Sequence, residues 1–275
     1  MENTFAILGG DKRQLYLARA LAGDGYPVLL GGMEQAPDTF GLPQAPLDLL
    51  AQRCTTFVLP LPVSRDGVFL NAPYAERPLP LDAAFLRLTE GRRVFGGMLS
   101  RWKDAPASWQ DYYTQEELTI GNAYLTAEGA VALAVGEWPG TLGGARCLVA
   151  GFGRIGKALC GMLQGMGAQV FCAARKPAHW AAIRALGCIP LSYQETGRAF
   201  DIIFNTVPAQ VLGEEMLALQ GRDALLMELA SAPGGFDREA AQQLGLRIMD
   251  APSLPGKLSP RAAGELLKTT ICHML

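Results

Sequence analysis

The residues best placed to do chemistry lie where the apolar run Arg146–Ala150 stops at a cluster of glycines. Three of these glycines have the G-x-G-x-x-G spacing of dinucleotide-binding turns. In such a turn the first glycine permits the bend, the second lets a pyrophosphate approach the backbone, and the third lets the helix pack on the strand. The helix that follows would offer unpaired N–H groups to phosphates. We predict that this turn binds a dinucleotide; the alternative is a glycine-rich turn that binds nothing. Its residues are Gly151, Phe152, Gly153, Arg154, Ile155 and Gly156.

The next strand ends without an acidic residue. Sites for NAD usually carry an Asp or Glu about 20 residues beyond the glycines, where it holds the ribose 2′-hydroxyl. Here the strand Gln169–Ala173 is followed by Ala174, Arg175 and Lys176. Two cations suit a 2′-phosphate. We therefore predict NADP in preference to NAD; the alternative is that Arg175 and Lys176 are only solvated surface charges.

Two later loops follow apolar strands and should lie at the same edge of the sheet. Ligands of open α/β sheets bind at the carboxyl ends of the strands. The first loop offers a hydroxyl and a backbone turn suited to the nicotinamide-side ribose, and the second should line the same region. Both are predicted to bind the cofactor, although they could be ordinary connections. The residues are Asn205, Thr206, Val207 and Pro208 in the first loop, and Ala230 and Ser231 in the second.

Charged residues elsewhere are candidates for contact with an anionic substrate. Lys257 and Arg261 follow the final strand, although lysines at helix ends commonly face solvent. Glu128 is placed at the start of a long apolar helix, where it would act as an acid or base or only stabilise the helix N-terminus. Arg13 follows Gly9-Gly10, which is either a tight turn or a loop that directs charge at a ligand.

The elements that would position these residues alternate between strand and helix. Strand, helix and strand are predicted within the first thirty residues, and the same alternation resumes after the glycine turn. Such alternation predicts parallel sheets covered by helices on both faces. We predict an α/β protein of two Rossmann-like lobes, with doubly wound parallel sheets and a cleft between them. The predicted parts are a Rossmann-like or flavodoxin-like lobe 1–120, a connecting helix 121–142, an NAD(P)-binding domain 143–257, and a helix 258–275 packing back on the first lobe.

Composition narrows the class of protein. The chain has 275 residues and a net charge of −2, with no basic block to bind nucleic acid. The most apolar stretch, Ala130–Val135, is too short to span a bilayer, and no signal peptide is recognisable. Six scattered cysteines without a C-x-x-C pair indicate buried free thiols in a reducing cytoplasm. With only two histidines, no metal site is predicted.

Several motifs with recognisable residues and spacing are distributed along the chain. They are Gly9-Gly10-Asp11 with Arg13-Gln14, Thr126–Ala130, Gly151–Gly156, Ala174-Arg175, Asn205–Pro208, Leu229–Ser231 with Pro233–Gly235, and Ala251–Lys257. Together these motifs resemble the family of dipicolinate synthase A subunits. The resemblance covers most of the chain, is most specific in its middle and C-terminal parts, and is least clear between residues 32 and 115.

The resemblance implies an NADP-linked oxidation of a dihydrodipicolinate-level intermediate to dipicolinate, in the mother-cell cytoplasm of a sporulating bacterium. It implies the flavoprotein-like B subunit of dipicolinate synthase as partner and an architecture similar to that of D-2-hydroxyacid dehydrogenases; a homo-oligomer is also considered. Arg13, Lys257 and Arg261 would then bind the two substrate carboxylates. Glu128, Lys257, water or no dedicated residue would take part in the proton transfer.

Two other functions stay open at this point. A 2-hydroxyacid dehydrogenase needs a histidine as acid and base late in the Rossmann lobe, and neither His179 nor His273 stands at such a position. That absence counts against a hydroxyacid dehydrogenase. A regulator that binds NADP without turnover is compatible with the sequence, and a turnover assay would distinguish it from an enzyme.

Overall fold

The computed structural model describes residues 3–275, and the chain divides into two compact units. The first unit contains Met1–Asn122 and Ser259–Leu275, and the second contains Ala123–Leu258. Each unit is built on one sheet whose strand pairs are all parallel. The predicted α/β class with doubly wound parallel sheets is therefore confirmed. Met1 and Glu2, which open the predicted lobe 1–120, lie outside the described residues.

The first unit has a five-stranded sheet in the order β2-β1-β3-β4-β5, which is the flavodoxin-like order. Its strands are β1 (Phe5–Leu8), β2 (Val28–Gly31), β3 (Thr56–Val58), β4 (Arg93–Gly96) and β5 (Gln110–Asp111). Its helices are α1 (Lys12–Gly23), α2 (Leu47–Arg53), α3 (Ala83–Thr89) and α10 (Pro260–His273).

β1 lies at the centre of this sheet, so both of its faces are covered. All four residues of β1 are at most 1% exposed. This explains why the strand is a continuous apolar run rather than an alternating one. On one side of the sheet α1 packs closely against α10, where Leu17 and Leu21 share a core with Leu267 and Ile271. The C-terminal helix thus belongs to the first unit.

The second unit has a six-stranded sheet in the order β11-β10-β9-β6-β7-β8, which is the strand order of the Rossmann fold. Its strands are β6 (Arg146–Ala150), β7 (Gln169–Ala173), β8 (Ile189–Leu191), β9 (Ile202–Asn205), β10 (Leu225–Glu228) and β11 (Ile248–Asp250). Its helices are α5 (Arg154–Gly165), α6 (Pro177–Ala185), α7 (Glu214–Leu217), α8 (Arg238–Gln243) and α9 (Leu254–Leu258).

The long helix α4 (Glu116–Glu137) begins five residues before the predicted connecting helix 121–142, and it also ends five residues earlier. The prediction began the helix at its apolar part, whereas the first turn carries the acidic residues Glu116 and Glu117. Acids are favourable there because they face the positive end of the helix dipole. Glu128 stands more than three turns further on, so the interpretation of Glu128 as a helix N-terminal residue is wrong.

By length and composition alone, α4 could cross a membrane. From the sequence, the stretch Ala130–Val135 was predicted to be too short to span a bilayer, but it is part of an apolar helix of 22 residues. In its most apolar window 44% of the residues are buried, and Ala127, Ala130 and Ala134 are fully covered in the core of the second unit. One side of α4 therefore packs in the core of the second unit, and length and composition by themselves are weak evidence for a membrane span.

All six cysteines are free, and five of them are buried. Burial raises the pKa of the Cys54 thiol to about 11 and that of Cys147 to about 12. These side chains therefore stay protonated at neutral pH and act as small apolar residues. The prediction of buried free thiols is confirmed for these five; Cys272 is partly exposed.

Candidate functional site

The glycine turn joins β6 to α5 and needs glycine at two positions for different reasons. Gly151 has a φ of +99°, and a Cβ there would lie 2.5 Å from Thr206 Oγ1. A Cβ on Gly156 would overlap the carbonyl oxygen of Gly151, so α5 could not pack against the turn. Gly153, the N-cap of α5, is exposed, and a Cβ there would meet nothing within 4 Å. The turn is thus closed toward the sheet and open at the helix N-terminus, where backbone N–H groups attract phosphates.

A pocket of about 350 Å³ lies above this turn in the second unit. Eight predicted cofactor residues line it: Gly151, Phe152, Gly153, Arg175, Lys176, Thr206, Val207 and Pro208. Five residues that were not predicted also line it: Ala174, His179, Tyr193, Ala209 and Val211. The other predicted cofactor residues do not line it: Arg154, Ile155, Gly156, Asn205, Ala230 and Ser231.

Two uncompensated cations lie at the rim of the pocket. Arg175 and Lys176 are exposed and follow the end of β7, and neither forms an ion pair with any residue from 3 to 275. Trp180 on α6 donates its indole N–H to the carbonyl oxygen of Ala174 at 2.8 Å, which anchors the helix that follows them. Their charge is therefore available to an anionic group in the pocket.

Three ring side chains, those of Phe152, His179 and Tyr193, also line the pocket. The rings of Phe152 and His179 are 5.5 Å apart, and Lys157 Nζ lies 5.5 Å from the centre of the Phe152 ring. Burial raises the pKa of the Tyr193 phenol, partly offset by Arg175, so the hydroxyl stays protonated. Tyr193 follows β8, and the rule that ligands meet the carboxyl ends of strands would have indicated it.

The turn after β9 is held by its own side chains. Thr206 donates its hydroxyl to the carbonyl oxygen of Ala150 at 2.8 Å, which joins this turn to the end of β6. Asn205 is buried and bridges Val207, donating from Nδ2 to its carbonyl oxygen at 2.9 Å and accepting at Oδ1 from its N–H at 3.1 Å. The predicted loop therefore forms one wall of the pocket, with Asn205 beneath it.

The predicted substrate residues are not brought together within one unit. In the first unit Arg13 is buried, pairs with Asp11 at 2.9 Å and donates to the carbonyl oxygen of Leu61 at 2.6 Å. Arg261, on α10 of the same unit, is exposed and pairs with Glu265 at 2.8 Å.

The other two candidates belong to the second unit. Lys257 on α9 and Glu128 on α4 are exposed, and neither forms an ion pair within the described part of the chain.

The two histidines lie in different units. His179 is in the wall of the pocket on the first turn of α6, whereas His273 in the first unit pairs through Nδ1 with Glu117 at 3.0 Å. Across residues 3–275 there is no cluster of three or more His, Cys, Asp or Glu side chains that could hold a metal ion.

A further polar residue of the second unit, which does not line the pocket, was also missed by sequence reasoning. Glu228 is the last residue of β10 and is only 4% exposed. Acidic residues are rarely buried unless they are paired. The acid within the apolar run Ala224–Leu229 could therefore have indicated a special role for Glu228 from the sequence alone.

The chain matches two sequence families in succession. Residues 4–107 match the N-terminal domain of the dipicolinate synthase A subunit. Residues 127–233 match the NAD-binding domain of the D-isomer specific 2-hydroxyacid dehydrogenases. The second match contains the glycine turn, the two cations and both predicted loops, so the second unit carries a nicotinamide dinucleotide-binding domain.

Several relatives match this chain over nearly all of its length. The dipicolinate synthase A subunit of Bacillus subtilis (strain 168) is 28% identical over 98% of this chain and 95% of the relative. The crystal structure of the dipicolinate synthase A chain from Bacillus subtilis has a TM-score of 0.86 at 26% identity, covering 100% of this chain and 96% of that chain. The corresponding structure from Bacillus halodurans has a TM-score of 0.87 at 25% identity, covering 99% of this chain and 97% of that one. These matches confirm the family resemblance and identify an NAD(P)-dependent oxidoreductase.

Proposed function

We propose that this chain, a homologue of the dipicolinate synthase A subunit, uses NADP⁺ to oxidise a dihydrodipicolinate-level intermediate to dipicolinate. The observation that carries the cofactor assignment is the pair of uncompensated cations, Arg175 and Lys176, beside the glycine turn. No acid stands at the end of β7 to hold a free ribose 2′-hydroxyl. The substrate assignment rests on the homology, which extends over 98% of the chain.

The fit of the cofactor to these residues is supported by the space above the turn. The backbone at Gly153 is open, and the first N–H groups of a helix have no partner within the helix, so a pyrophosphate has donors there. Arg175 and Lys176 would hold the 2′-phosphate. The loop Asn205–Pro208 with Ala230 and Ser231 would support the nicotinamide half, and Arg154, Ile155 and Gly156 would belong to the helix turn beneath the phosphates.

A nicotinamide dinucleotide held by the glycine turn, Arg175 and Lys176 would supply the hydride acceptor for oxidation of the substrate ring. The dihydropyridine ring loses a hydride and one proton and becomes an aromatic pyridine, so the reaction is favoured by aromatisation. The protein then has mainly to orient the substrate and to bind its two carboxylates. Lys257 would do so without rearrangement because no carboxylate of the described chain holds it. Arg13 and Arg261 would have to exchange Asp11 and Glu265 for the substrate.

The proton would pass to Glu128, with Lys257 placed to assist, or directly to water. Glu128 is exposed and is not held in an ion pair by any residue from 3 to 275, which leaves its carboxylate accessible as a base. The flavoprotein-like B subunit of dipicolinate synthase is the proposed partner, since the relatives are named as one component of a synthase. The proposed setting is the mother-cell cytoplasm of a sporulating bacterium.

The test is a turnover assay with NADP⁺ and NAD⁺, run with and without the B subunit. We expect NADPH to appear together with the ultraviolet spectrum of an aromatic pyridine dicarboxylate. Dinucleotide binding without turnover, even with the B subunit present, would contradict the enzyme and favour an NADP-sensing protein.

The cofactor preference is tested with Arg175→Ala. Loss of a charge-assisted contact to phosphate should weaken NADP⁺ binding roughly 10- to 100-fold and leave NAD⁺ binding unchanged. Arg184→Ala is the matched control. Arg184 is also an exposed arginine, in the helix α6 that follows Lys176, but it does not line the pocket. Equal weakening of NADP⁺ and NAD⁺ by Arg175→Ala would contradict a 2′-phosphate contact.

A further inference from the structure

Glu228 is a buried carboxylate that the proposed reaction does not use. It ends β10 and is 4% exposed, yet no lysine, arginine or histidine among the described residues forms an ion pair with it. Burying a carboxylate without compensation is costly. The charge of Arg238 interacts with Glu228 without a direct ion pair, so the fold must still provide hydrogen bonds to the buried carboxylate.

Three N–H donors surround this carboxylate. Oε1 accepts from Asn205 Nδ2 at 2.6 Å and from the backbone N–H of Ala230 at 3.0 Å. Oε2 accepts from the backbone N–H of Gly235 at 2.8 Å. Both oxygens act as acceptors in these three hydrogen bonds, so the side chain satisfies all three donors.

The loop after β10 is shaped around the pair formed by Glu228 and Asn205. Gly234 has a φ of +82°, and a Cβ there would lie 2.7 Å from Glu228 Oε2. A Cβ on Gly235 would overlap the side-chain amide of Asn205. The two glycines thus let the backbone close over the buried polar pair.

Two connections lead from this pair to the wall of the pocket, although neither residue lines it. Asn205 bridges the N–H and carbonyl groups of Val207, and the carbonyl oxygen of Gly235 accepts from the N–H of Val211 at 2.9 Å. Val207 and Val211 both line the pocket. They follow β9, which opens the second half of the Rossmann sheet, whereas the glycine turn and Arg175 belong to the first half.

We infer that Glu228 is a positioning residue for the nicotinamide half of the cofactor site: it ties the Asn205–Val207 turn and the Gly235–Val211 contact into one rigid wall. This inference rests on the proposed dinucleotide site. The two halves of a Rossmann sheet each bind one mononucleotide, so the adenosine half should not depend on Glu228.

Glu228→Gln is a sharp test because glutamine has the same shape. One carboxylate oxygen becomes an NH₂ group, which must face either the N–H of Gly235 or the two donors at Oε1. In either orientation a donor meets a donor and a contact that holds the wall is lost. Glu239→Gln is the control, because Glu239 is exposed on α8 and loses the same charge.

The experiment measures the dissociation constants of two ligands for wild type and both variants. NADP⁺ fills both halves of the site, whereas adenosine 2′,5′-bisphosphate fills only the adenosine half. Glu228→Gln is expected to weaken NADP⁺ binding about tenfold or more and to change bisphosphate binding less than twofold. Glu239→Gln should change neither.

Other results would overturn the inference in distinguishable ways. Equal weakening of both ligands by Glu228→Gln would show a merely structural role, and unchanged binding of both would show that Glu228 has no role in the site. If wild type binds neither ligand, the proposed NADP function itself fails. Thermal unfolding measured without ligand shows for each variant whether the protein is still folded.

Discussion

At the scale of single residues, the predicted dinucleotide site depends on three glycines of the turn after β6, which have no side chain. At Gly151 and Gly156, neighbouring atoms already lie where a Cβ would have to be. At Gly153, no atom of the described chain lies within 4 Å of the position of a Cβ. The same spacing of glycines therefore meets two different requirements. Two of them let the turn and helix pack, and the third leaves the backbone accessible to a phosphate.

Gly156→Ala is predicted to destabilise the second unit and to abolish dinucleotide binding. The new Cβ would overlap the carbonyl oxygen of Gly151, so α5 must move away from β6. Overpacking of this kind costs about 1–3 kcal/mol. Thermal unfolding and NADP⁺ titration measure the two effects.

Gly161→Ala is the matched control in the same helix. Gly161 is exposed, and a Cβ there would meet nothing within 4 Å. Replacing a helical glycine by alanine stabilises a helix by about 0.5–1 kcal/mol, so this variant should be slightly more stable and bind normally. An equal loss of stability in the two variants would contradict the packing argument.

At the scale of elements, a glycine lets two helices of the first unit pack closely against each other. α10 carries Gly264 where it crosses α1, and a Cβ at that position would lie 2.6 Å from the carbonyl oxygen of Arg13 and 2.6 Å from Tyr16 Cβ. The two helices approach closely because no side chain separates their backbones at this point.

Gly264→Ala is accordingly predicted to lower the stability of the first unit by about 1–3 kcal/mol, because the backbone of α1 cannot yield like a flexible side chain. Chemical denaturation followed by circular dichroism measures the change. Gly23→Ala, at the exposed end of α1 where a Cβ meets nothing within 4 Å, should be neutral or stabilising. A neutral Gly264→Ala would mean that the α1–α10 contact adapts to one more carbon.

At the scale of the whole molecule, the chain leaves the first unit near Asn122 and returns to it at Ser259. The first unit therefore needs both ends of the chain, whereas the second is formed by one continuous segment. The cores reflect this arrangement: Leu267 and Ile271 of α10 are at most 1% exposed within the first unit.

A chain ending at Leu258 is predicted to lose the first unit and to keep the second. Without α10, the apolar face of α1 is exposed to water, and burial of one large aliphatic side chain contributes about 1.5–3 kcal/mol. Hydrogen exchange should show loss of protection in β1 and β2, and adenosine 2′,5′-bisphosphate should still bind. A chain ending at His273 is the control, since it removes only Met274 and Leu275; unchanged protection of β1 after the larger truncation would contradict the prediction.

The sequence by itself predicted most of the strands and the glycine turn after β6. Both are local properties: apolar runs of strand length, helical spacing, and three glycines at fixed offsets are read within about 30 residues. The strands β6 and β7 were therefore placed correctly, and the glycine turn and the two cations that line the pocket were identified. The predicted start of α4 failed because its first turn is acidic rather than apolar.

Only the tertiary structure decided which distant residues share a surface and which charges are already compensated. Arg13 donates to the carbonyl oxygen of Leu61, which lies 48 residues further along the chain. Glu228 and Asn205 are 23 residues apart and meet because β9 and β10 are neighbours in the sheet. Hydrogen bonds between strand ends depend on the order of the strands in the sheet. That order follows from how the whole sheet buries its two faces, and a local sequence pattern contains no information about it.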